Sequence, residues 1–133
     1  MIRYAAALLV SLCLVTGVRA ADRALLIGIG TYATLPEKMF LEGPKNDVPL
    51  IEKLLREKQG FAPESIRVLS DKDATRAAIL ASIEEWLIAG TQPGDRVYFY
   101  FSGHGLQVKD QNGDEEDGLD EALSTFDIAA GDG

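Results

Sequence analysis

Three short apolar runs alternate with two stretches whose apolar residues recur at helical spacing. Ala24 to Ile29 (ALLIGI) is apolar without alternation, the pattern of a strand buried on both faces. Gly30 to Lys45 is punctuated by Gly30, Pro36, Gly43 and Pro44 and reads as a loop. From a cap at Asn46 to about Lys58, residues Val48, Ile51, Leu54 and Leu55 form an apolar stripe, with Glu52, Lys53, Arg56 and Glu57 turned outward. Pro49 would then fall in the first turn, where proline is tolerated, and Gly60 ends the helix. Ile66 to Leu69 is a second strand. A second helix is predicted from a cap at Asp73 through Ala89, with Ile79, Ile83, Trp86 and Leu87 inward and Gly90 at its end. Arg96 to Phe101 (RVYFYF), rich in aromatic and β-branched residues, is a third strand.

Strand, helix, strand, helix, strand is the order of right-handed crossovers between parallel strands. The expected fold is an α/β three-layer sandwich with a mainly parallel sheet. A chain of 133 residues holds one such domain, with neither internal repeat nor linker.

The stretch before residue 21 has a different pattern. Arg3 is followed by an apolar run of about 13 residues, Tyr4 to Thr16, and then by Val18-Arg19-Ala20. That is the build of a secretory signal peptide over residues 1–20, and the run is short for a membrane span. Leu12 stands where a lipoprotein signal would need a small residue before Cys13. The expected location is secreted or periplasmic, with no membrane attachment after the signal is removed. Residues 21–133 contain no cysteine.

The whole chain carries a net charge of −8, which argues against nucleic acid or an anionic membrane as partner. One cysteine and one histidine leave no disulfide framework and no Cys/His zinc site. The charge is uneven: residues 21–109 hold 12 acids against 11 bases, and residues 110–133 hold nine acids and no base.

Candidate chemistry begins where the third strand runs into Ser102-Gly103-His104-Gly105. Ligands of open α/β sheets bind beyond the carboxyl ends of the strands. The chain's only histidine stands there between glycines that let a substrate approach, and its side chain suits proton transfer near neutral pH. The Gly105 N–H is a candidate donor to a developing oxyanion. Two other patterns fail on their context. Gly28 to Ala33 matches a dinucleotide fingerprint, but the helix that should follow at once is delayed beyond Pro44. Asp110, Asn112, Asp114, Glu116 and Glu121 have EF-hand spacing, but Glu115 occupies the position that requires glycine.

Five segments in order resemble the caspase-like cysteine peptidases, and the metacaspases in particular: ALLIGIGTY (24–32), GPKNDVPLIEKLL (43–55), DATRAAIL (73–80), FYFSGHGLQ (99–107) and NGDEEDGLDEAL (112–123). The resemblance covers nearly all of residues 23–127. It implies that His104 is the general base of a cysteine–histidine dyad and that Gly105 supplies an oxyanion N–H. It implies that Asp47 lines an acidic pocket for an Arg or Lys before the scissile bond, a choice that charge complementarity supports. It also implies that Asp120 occupies one ligand position of a calcium site; no other cofactor is expected.

The family's nucleophilic cysteine follows the acidic run in an Asp-x-Cys context, and residues 21–133 contain none. Ser102, two residues from His104, has no nucleophilic role in the family. The expectation is therefore a signal peptide over 1–20 and a partial caspase-like domain over 21–133, incomplete and inactive alone. Its partners would be a peptide or protein substrate and the missing C-terminal half. The alternative is a non-catalytic pseudo-peptidase acting as a binding or regulatory module.

Overall fold

The structure, a computed structural model, describes residues 22–129. The predicted signal peptide lies outside the described residues. Strand β1 (Arg23–Gly28) pairs in parallel with β2 (Ile66–Ser70) on one side and with β3 (Val97–Ser102) on the other, giving the order β2-β1-β3. The central position of β1 explains its unbroken apolar run, since both its faces are covered. Ala24 and Leu26 pack with Val48, Leu55 and Phe61, on the side of helix α1 (Pro44–Lys58). Leu25 and Ile27 pack with Ile79 and Leu87, on the side of helix α2 (Arg76–Ala81), which continues as a π-helical segment, Ser82–Ile88. The result is the expected three-layer α/β arrangement.

Several boundaries differ from the sequence expectation. Helix α1 starts at Pro44, with Gly43 as its cap, and so Pro49 sits inside the helix. Asn46 is not the cap; its side-chain amide donates to the Glu42 carbonyl across the first turn. Pro at the first helical position is already preset in φ, which is why the helix can begin before the residue with the better capping side chain. Leu54, expected inside, is 44% exposed, on a surface it shares with the exposed Val97.

Helix α2 is capped by Thr75 and not by Asp73. The Thr75 hydroxyl accepts from Ala78 N–H at 3.2 Å, and the Asp127 carboxylate accepts from Arg76 N–H at 2.8 Å. Asp71–Asp73 is instead a tight 3₁₀ turn, which Asp71 enters with a left-handed φ of 44°. The Asp71 carboxylate accepts from both Gly30 and Thr31 N–H at 2.9 Å, tying the end of β2 to the end of β1. These two bonds fix a conformation that costs a non-glycine residue about 1–2 kcal/mol.

The acidic run is not a free loop. It is the connection of an antiparallel hairpin between β4 (Gly105–Lys109) and β5 (Leu119–Leu123). Asp110 builds the turn, accepting from the N–H groups of Asn112, Gly113 and Glu115. Gly113 and Gly118 take positive φ there. Among the described residues, no helix is long and apolar enough to cross a membrane.

Candidate active site

His104 leaves the carboxyl end of β3, next to the carboxyl end of β1, where the loop 29–43 departs. That loop folds back on itself, with Leu41 N–H donating to the Gly30 carbonyl at 2.8 Å. It presents the Met39 carbonyl to the His104 ring, 2.6 Å from Nε2. A carbonyl only accepts, so Nε2 is the protonated nitrogen and Nδ1 of the neutral ring is left as the base. The imidazole thus has a fixed tautomer before any substrate arrives.

Gly105 is the first residue of β4 and faces Leu123 across the hairpin. The adjoining pair is hydrogen-bonded through Ser124 N–H to the His104 carbonyl at 2.9 Å. Bonded and non-bonded pairs alternate in an antiparallel ladder, so Gly105 belongs to a non-bonded pair and its N–H points away from β5. That leaves it free to donate to a ligand beside the imidazole.

Asp47 lies in the first turns of α1, half-buried, and accepts from the Ser102 hydroxyl at 2.8 Å. Sequence reasoning gave Ser102 no role beyond denying it a nucleophilic one. Here it orients one carboxylate oxygen and ties α1 to the end of β3, two residues before His104. Its place at the last position of a strand beside an apolar-to-glycine transition was the available signal. Tyr32 was also missed. It is buried, its hydroxyl accepts from the His104 backbone N–H, and its ring stands 5.2 Å from the imidazole.

Asp120 is elsewhere. It lies on β5 and pairs with Val108 of β4, three register positions from Gly105, or about 10 Å along the hairpin. Its carboxylate joins those of Asp110 and Asp114, with ligand oxygens all within 4.8 Å of one another. Desolvation, then the neighbouring carboxylates of Asp110, Asp114 and Glu121, push Asp120 up from its ordinary value. The backbone N–H groups of the turn, Gly113 first, hold Asp110 down. An all-oxygen set of this kind suits a hard cation, of which it would supply only part of the roughly 6–8 ligands of calcium.

His104, Gly105 and, through Ser102, Asp47 are therefore brought to one end of the sheet, and Asp120 belongs to a separate acidic cluster. Comparisons with known proteins bear on the family. The family described as metacaspase, peptidase C14 domain, matches residues 22–132. A Metacaspase-1 of Cryptococcus neoformans is 41% identical over 113 residues, covering 80% of this chain and 24% of the relative. A Metacaspase-1 of Schizosaccharomyces pombe is 37% identical over 110 residues, covering 79% of this chain and 25% of the relative. The chain thus spans about a quarter of the length of the curated relatives it matches. Among solved structures, a crystal structure of a Geobacter sulfurreducens protein superposes with a TM-score of 0.63 at 30% identity, covering 80% of this chain and 39% of that one.

Proposed function

This chain belongs to the metacaspase, peptidase C14, family, and on that premise we propose that it carries the histidine-bearing half of a cysteine endopeptidase site that cleaves after Arg or Lys. The observation that carries the proposal is the 2.6 Å contact of His104 Nε2 with the Met39 carbonyl, which selects the tautomer with Nε2–H and so makes Nδ1 the base. Nδ1 takes the proton of a cysteine thiol supplied by the remainder of the domain. The thiolate attacks the carbonyl carbon of the scissile bond, and the Gly105 N–H donates to the oxygen that becomes anionic. The proton then passes from Nδ1 to the leaving amine as the C–N bond breaks. Water, deprotonated by the same nitrogen, hydrolyses the thioester and releases the acid.

The carboxylate of Asp47, with one oxygen turned by Ser102, is the recognition group for the cationic side chain of the substrate. Asp110, Asp114 and Asp120 are the residues that would hold calcium, which would neutralise mutual repulsion and stiffen the hairpin that carries Gly105. Export by way of residues 1–20, to a secreted or periplasmic location, is part of the same proposal.

The test is cleavage of a fluorogenic peptide ending in Arg, with residues 21–133 assayed alone and together with the cysteine-bearing remainder of the domain. Cleavage only in the combination, lost with His104→Ala and with a thiol alkylator, supports the peptidase. No cleavage in either form, with substrate still bound, supports the pseudo-peptidase.

A further inference from the structure

Tyr32 is the most deeply buried polar side chain near the site, only 3% exposed, and the mechanism above gives it no part. Its hydroxyl makes two bonds. It donates to the Ile29 carbonyl at 3.2 Å and accepts the His104 backbone N–H at 2.7 Å. Its ring lies against the imidazole, centroids 5.2 Å apart and planes at 37°. The following residues of the same loop present the Met39 carbonyl to Nε2. One loop therefore grips His104 twice, at its backbone and at its ring.

Gly103 makes the first grip possible. A Cβ there would stand 3.0 Å from the Tyr32 hydroxyl and 2.9 Å from the Phe101 ring, closer than side chains pack. The glycine before His104 thus serves Tyr32 as well as substrate access. Burial raises the Tyr32 hydroxyl above its usual value, so it stays protonated and can donate and accept at once.

We propose that Tyr32 is a positioning residue for His104: its hydroxyl bridges the Ile29 carbonyl and the His104 N–H, and so holds the imidazole against the Met39 carbonyl in the tautomer that leaves Nδ1 as base. The proposal deepens the reading of His104 as general base and rests on it. Without the hydroxyl, two backbone groups lose their partner and the segment shifts to satisfy them. A small displacement of Nδ1 matters, since about 1 Å of misplacement can cost roughly a hundredfold in rate.

His104 is the only histidine of the chain, so its ring gives one unambiguous set of nitrogen signals. The experiment is long-range proton–nitrogen NMR of the histidine-labelled chain, with Tyr32→Phe and Gly103→Ala, in the absence of substrate. The unaltered neutral ring should show a protonated Nε2 and a bare Nδ1. Tyr32→Phe keeps the aromatic ring, and should move both nitrogen shifts toward the average of two tautomers. It should also speed exchange of the His104 amide by roughly fivefold or more, the worth of one hydrogen bond. Gly103→Ala should give the same signature with the hydroxyl still present.

A folded Tyr32→Phe protein with unchanged imidazole shifts would overturn the proposal. So would rapid exchange of the His104 amide in the unaltered chain, a measurement that needs no variant to fold. A merely structural tyrosine would lower stability and leave the tautomer alone. The readout needs neither thiol nor substrate. A failed cleavage assay therefore counts against the peptidase reading, whereas a failed NMR test counts against Tyr32.

Discussion

His104 and Asp47 make different kinds of contact and should fail in different ways. With the cysteine-bearing remainder of the domain present, His104→Ala removes the base and should abolish cleavage, a loss of about 10²–10⁴-fold in kcat. Asp47→Ala should spare the chemistry and erode the preference for Arg and Lys, read as a fall in kcat/KM for basic substrates with little change for poor ones. Ser102→Ala frees the Asp47 carboxylate from a 2.8 Å bond and should weaken the same preference by less. At the start of α2, Asp127 works on stability alone. Its bonds from the Arg76 N–H and the Thr125 hydroxyl lower its pKa, so the folded state favours the carboxylate. That contribution is fully present above the unfolded value near 3.9 and is lost as pH falls through the lower folded value. Asp127→Ala should cost about 0.5–1 kcal/mol at neutral pH by urea unfolding, and progressively less as pH is lowered into that window.

Among the elements, the three parallel strands and two helices were foreseen because their signals are local: a continuous apolar run, a helical stripe, a glycine stop. The misplaced boundaries have tertiary causes. Asp73 has the better capping residue type, but Asp71 is bound to Gly30 and Thr31 and turns the chain early, which hands the cap to Thr75 and the remote Asp127. The hairpin was missed because β5 carries no apolar alternation to match Leu106 and Val108, which face Ala122 and the acidic Asp120. In the site, His104 and Gly105 announce themselves by glycine spacing. Tyr32 and the Met39 carbonyl reach the imidazole from 72 and 65 positions away, and no local pattern encodes that. Close approach of α1 to β1 gives an element-scale test. A Cβ on Gly28 would lie 2.6 Å from Val48 Cγ2, so Gly28→Ala should destabilise the fold by about 1–3 kcal/mol in urea titration. For the hairpin, isothermal calorimetry on residues 21–133 should find calcium binding only at ~10⁻⁴–10⁻³ M, weakened further by Asp120→Asn. Submicromolar binding would mean that the three carboxylates and their surroundings already form a complete site. For the leader, N-terminal sequencing of exported protein should begin at Ala21.

At the scale of the whole molecule, His104 and Asp47 meet at the carboxyl ends of β1 and β3, and the acidic cluster of Asp110, Asp114 and Asp120 stands at the far end of the hairpin. The other side of β3 is different. Val97 and Phe99 on this strand are 52% and 43% exposed, although Leu25, which pairs with Phe99 on β1, is fully buried. A parallel strand normally has both faces covered, so this uncovered stretch should make residues 21–133 alone prone to self-association. The most direct measurement is the hydrolysis of a fluorogenic Arg-ending peptide by residues 21–133 combined with the cysteine-bearing remainder of the domain. Cleavage in the combination alone, blocked by a thiol alkylator and by His104→Ala, is the expected result. Robust cleavage by residues 21–133 by themselves, insensitive to the alkylator and surviving His104→Ala, would contradict it.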